Sequence, residues 1–77
     1  MLRLKEKDFL LTRHAFDGAA AEDLDERLVY DIVAAAPRGD LDVKQETRYP
    51  KGRRVVIVRW VEREHAYYVL NVSARRR

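Results

Sequence analysis

Between Ala19 and Ala36 the chain runs without a glycine or a proline, and between Arg53 and Val61 it is β-branched and aromatic; Pro37 and Gly39 stand between the two stretches. That division constrains the fold more than any other feature. Pro37 cannot donate to a helical ladder and disfavours helix at Ala36, so a helix entering from the N-terminal side must stop there. A chain of 77 residues holds one hydrophobic core and no second. Both halves must therefore pack on each other, as an α+β domain over 1–77 that is helical over 8–36, a β-meander over 42–73 and a basic tail over 74–77.

Within the first half, Leu24, Leu28 and Ile32 recur at helical spacing, with Val29 and Val33 widening the stripe. Glu22, Asp23, Asp25 and Glu26 fall in the first turns of that helix, where carboxylates meet the positive end of the dipole. A shorter helix is expected over Asp8–Phe16, with Asp17-Gly18 as the break after it. In the second half, Val43–Tyr49 alternates as an edge strand and Tyr49-Pro50-Lys51-Gly52 reads as a turn. Arg53–Val61 suits a central strand. Glu62–His65 is a polar tip, and Ala66–Ser73 a third strand with Tyr68, Leu70 and Val72 on one face and Tyr67, Val69 and Asn71 on the other. The expected architecture is two N-terminal helices packed on one face of a three-stranded antiparallel sheet, Leu24, Leu28 and Ile32 meeting Val55, Ile57 and Leu70.

Composition narrows function by exclusion. There is no cysteine, so no disulfide framework, thiolate metal site or cysteine nucleophile, and the expected location is cytoplasmic. No apolar run is long enough to span a bilayer, and Met1–Asp8 is charged where a signal peptide would be apolar. His14 and His65 lie about fifty residues apart with no ligand spacing around them, so no metal is expected. The three glycines are unclustered, and Ser73, the one serine, has no elbow around it. No cofactor and no acyl-transfer chemistry are expected.

Charge points the other way. The net charge of +3 conceals an acidic first half, net −4 over residues 1–42, and a basic second half, net +7 over 43–77. Lys44, Arg48, Lys51, Arg53, Arg54, Arg59, Arg63, Arg75, Arg76 and Arg77 all fall on or beside the expected sheet, with Tyr49, Trp60, Tyr67 and Tyr68 among them. Guanidinium groups grip phosphates bidentately and aromatic faces stack on unpaired bases, so Lys51, Arg53, Arg54, Arg76 and Arg77 are candidate nucleic-acid contacts and Arg59 a candidate phosphate clamp. A solvated, solubilising basic face is the competing account, and Trp60 and Tyr68 are core candidates as much as stacking ones. His14 titrates near neutrality and is a candidate general acid or base.

Two short motifs carry a family resemblance. Thr12-Arg13-His14-Ala15, followed by a helix ending near Pro37 and then strands, resembles small bacterial domains of the RelE/ParE toxin superfamily that open with a Thr-x-His-Ala element. Asn71-Val72-Ser73-Ala74-Arg75-Arg76-Arg77 is similar to the Ile-Ser-Ala-Arg-Arg close of the BrnT-type toxins in that superfamily. The strand and Trp-rich element with which BrnT-type sequences begin have no counterpart in Met1–Asp8. The resemblance implies a metal-independent endoribonuclease of a toxin–antitoxin system, in which a ribose 2′-hydroxyl attacks the adjacent phosphate. It implies His14 as acid or base and Arg75 and Arg76 as transition-state arginines, with RNA, free or ribosome-associated, and an antitoxin from a neighbouring gene as partners. A non-catalytic nucleic-acid-binding module and a protein-interaction module are the alternatives. The strands Val43–Tyr49 and Val55–Val61 invite edge pairing, so a homodimer is expected as well.

Overall fold

The computed structural model describes residues 2–77. It opens with a hairpin: strand β1 (Leu2–Leu4) turns back into β2 (Lys7–Leu11), Leu4 pairing with Lys7 across the two-residue loop Lys5-Glu6. Both loop residues have positive φ, 50° and 65°, as a type I′ turn requires. Helix α1 (Arg13–Ala21) follows, capped by Thr12, whose hydroxyl accepts from the Ala15 N–H at 3.1 Å. Residues 22–25 then turn, with Asp23 at φ 57°, into α2 (Glu26–Ala35), where Asp25 Oδ1 accepts from the Leu28 N–H at 2.8 Å. The helix stops before Pro37 as the sequence requires. Strands β3 (Gln45–Lys51), β4 (Arg54–Glu62) and β5 (Ala66–Arg76) complete the chain.

The strands form one sheet in the order β1-β2-β5-β4-β3, antiparallel except where β2 runs parallel to β5. Both helices pack on one face. Ala15, Ala19, Leu24, Val29, Ile32 and Val33 from the helical layer meet Leu4, Phe9, Val56, Val58, Trp60, Tyr67, Val69 and Val72 from the sheet.

The α+β class holds, but the three-stranded antiparallel sheet becomes a five-stranded mixed one, and the helices do not come first. Residues 8–11 are not helical: Phe9-Leu10-Leu11 is a short apolar run without its own period, and its lodging between β1 and β5 decides for strand. Asp17-Gly18 lies inside α1, because a side chain at residue 18 would collide with β5: a Cβ there would lie 2.3 Å from the Val72 carbonyl oxygen. The break falls instead at residues 22–25, so the 19–36 helix is two pieces and Asp25 is a cap. The expected turn at Tyr49–Gly52 moves to Gly52-Arg53, with Gly52 at φ 62°, and Pro50 sits inside edge strand β3. The tail Ala74–Arg76 is strand, paired with β4. A register shift between Arg59 and Trp60 changes the parity of β5, putting Tyr67, Val69 and Val72 together on the helix side. Leu24 and Ile32 are core, yet their sheet partners are of the parity of Val56, Val58 and Trp60; Val55, Ile57 and Leu70 lie outside that cluster.

Candidate nucleic-acid interface

One end of the sheet gathers cations from three places in the chain. Lys51, Arg54 and Arg76 make one rung across β3, β4 and β5. Arg53 occupies the adjoining turn, and the Arg77 N–H donates to the Arg53 carbonyl at 2.8 Å, which ties the end of the chain to the turn. Arg77 Nη1 also reaches the Gly52 carbonyl at 3.4 Å. Arg75, opposite Val55, points to the face away from the helices. The β3–β4 turn thus does two things: it reverses the chain and places its flanking cations beside the arginines of β5.

Arg54 is the anchored member. Its guanidinium donates to the Glu22 carboxylate at 3.2 Å and to the Glu22 carbonyl at 3.4 Å, bridging the sheet to the turn between the helices. Lys51, Arg53, Arg75, Arg76 and Arg77 are all exposed. Among the described residues, the ion pairs of the second half use Arg48, Arg54, Arg59 and Arg63; the five cations just named are in none of them. The basic half is therefore not a uniformly charged sheet. Arg63 is held by Asp42 at the opposite end, and the unneutralised charge concentrates at the 51–54/75–77 end.

The three residues considered for catalysis are not brought together. His14 is exposed in the first turn of α1, where Thr12 donates to the Leu70 carbonyl at 3.3 Å. Arg75 lies five residues further along β5, about 16 Å at strand rise. Arg59 turns away from α1: its Nε donates to Glu46 Oε1 at 3.2 Å, on β3, while Arg48 Nε donates to Oε2 at 3.3 Å. The bonds from Arg59 and then Arg48 hold the Glu46 carboxyl below the usual carboxylate range. Aromatic stacking is also reduced. Trp60 is buried and donates Nε1–H to Thr47 Oγ1 at 3.0 Å, and Tyr67 is buried against it; Tyr49 is exposed and Tyr68 half-buried.

A second charged cluster escaped the sequence reading. Glu62 is only 2% exposed and accepts from Lys7 Nζ at 2.8 Å and from Arg38 through both carboxylate oxygens, at 3.2 and 2.8 Å. The Arg38 bonds, ahead of those from Lys7 and against the cost of burial, pull its carboxyl down to about 2. Burial, followed by the neighbouring Glu62 charge, pushes the Tyr67 phenol up. Glu62 looked like part of a polar tip; only the parallel lodging of β2 beside β5, which delivers Lys7, reveals its role.

No helix among the described residues is long and apolar enough to cross a membrane, and none of their His, Asp and Glu side chains cluster in threes suited to a metal. No protein-family model, curated protein or solved structure matches the chain.

Proposed function

We propose that this protein is a nucleic-acid-binding module that grips the phosphate backbone of RNA with the basic end of its sheet. The observation that carries the reading is the convergence of Lys51, Arg53, Arg75, Arg76 and Arg77 on one end, exposed and outside every ion pair among the described residues. Arg54, braced by Glu22, sets the geometry of that end. Contact is to phosphates first, because Trp60 and Tyr67, two of the four aromatics of the basic half, are buried in the core.

Binding to a fluorescent single-stranded RNA across a salt series tests it. Engagement of all five cations gives a slope of log K against log[salt] of about −3.5, and R53A/R76A flattens it by about 1.4. A flat salt response, or an unchanged slope in the double variant, defeats the proposal.

A toxin-like endoribonuclease remains the second reading, and one observation favours it. Residues 2–4 form a strand, and a strand near the start is also expected from the resemblance to BrnT-type sequences. On that reading an antitoxin from a neighbouring gene would cover the basic end. Cleavage of RNA without added metal, lost in H14A and in R75A, would support it; intact RNA with tight binding leaves the binding module alone.

A further inference from the structure

We propose that the protein forms a two-fold symmetric dimer by antiparallel pairing of β3 with β3 of a second copy, with Thr47 facing Thr47 on the axis.

The free edge of β3 supplies the first reason. Lys51 and Arg54 flank a two-residue loop, so they form a hydrogen-bonded pair, and hydrogen bonding to β4 then alternates back through Tyr49, Thr47 and Gln45. The backbone groups of Glu46, Arg48 and Pro50 consequently point outward, and Pro50 has no N–H to offer. The pairing-competent window is thus Glu46 to Arg48, with Pro50 closing one end.

Side chains choose the register. Glu46 and Arg48 lie on the face away from the helices, flanking Thr47. With Thr47 on the two-fold axis, Glu46 stands opposite Arg48 of the other copy and Arg48 opposite Glu46, so two opposite-charge pairs between copies add to the Arg48–Glu46 and Arg59–Glu46 pairs already present within each chain. The outward N–H and C=O groups of these same residues meet in that register. Moving the axis to Arg48 sets two arginines face to face, and moving it to Glu46 sets two glutamates face to face; both are disfavoured. Of the registers centred on Glu46, Thr47 and Arg48, only the one on Thr47 is self-complementary in charge.

Exposed apolar surface supplies an independent reason. Of the four large apolar side chains left exposed among the described residues, Leu41, Val43 and Tyr49 (49, 49 and 41%) lie on β3 or the segment entering it. Tyr49 also walls an apolar groove between β3 and α2, with Leu28, Ile32 and Ala35 opposite. The two-fold pairing joins this groove to its copy, and the axis passes through its floor at Thr47. A second copy is the occupant favoured, because the charge match is with the strand's own sequence.

Sedimentation equilibrium and disulfide trapping test the proposal together. The wild type is expected at twice the chain mass. E46R and R48E, each placing like charges opposite one another twice, weaken the dimer about tenfold, and E46R/R48E restores it. The chain has no cysteine, so T47C reports cleanly. A non-hydrogen-bonded pair brings the Cα atoms to about 4.5 Å, within disulfide range, whereas K51C stays reduced because its two copies lie about 27 Å apart along the strands. A single-chain mass at every concentration overturns the proposal. So does a charge-swapped double variant no tighter than the singles, or a T47C protein that retains its wild-type circular dichroism and does not cross-link.

Discussion

Glu62 shows what one buried carboxylate does when its partners come from remote segments. Lys7 arrives from β2 and Arg38 from the segment after α2, so the side chain joins three parts of the chain at one point. A carboxyl held at about 2 in the folded protein and near 4.5 when unfolded favours the folded state at pH above 4.5; that contribution drains away as pH falls from 4.5 toward 2. Thermal unfolding from pH 6 to pH 2 should therefore show a steep acid loss in the wild type and a flatter one in E62Q. At pH 6 the variant should be less stable by about 2 kcal/mol, because three charge-assisted bonds lose their acceptor charge. An unchanged acid slope in E62Q would mean that other carboxylates carry the response.

Elements were legible in the sequence where a rule of local chemistry acted alone. The end of α2 at Pro37, the apolar stripe of that helix and the strand character of residues 54–62 all follow from propensity and period. The opening hairpin did not, because Lys5-Glu6 is chemically wrong for a loop with two positive φ values, which asparagine and glycine adopt more readily. K5N/E6G should accordingly raise stability by about 1 kcal/mol, read as an upward shift in urea midpoint at constant m-value. Gly18 misled for the opposite reason: it looks like a helix breaker but is a contact. G18A would gain about 1 kcal/mol of helix propensity in isolation. In the folded protein the added methyl meets the Val72 carbonyl at 2.3 Å, backbone that cannot easily move, so the substitution should destabilise by about 2 kcal/mol. Urea unfolding of both variants separates the two signs.

At the scale of the whole molecule, the site was half legible. The charge asymmetry located the basic segments, and the turn and strands then brought residues 51–54 and 75–77 to one end. What the sequence concealed was long-range: the parallel pairing of β2 with β5 joins residues 8–11 to 66–69, and no period or motif announces a partner that far away. That pairing also makes β5 a central strand, flanked by both hairpins. A fragment of residues 2–65 lacks the strand that unites them and should show no cooperative thermal transition, while a peptide of residues 66–77 added in trans should restore one. Cooperative unfolding of the fragment by itself would show that the hairpins and helices are self-sufficient. The same placement governs timing during synthesis. Until the segment from Ala66 onward has left the ribosome, the two hairpins have nothing to hold them side by side, so the core closes only once that strand is free to insert between them.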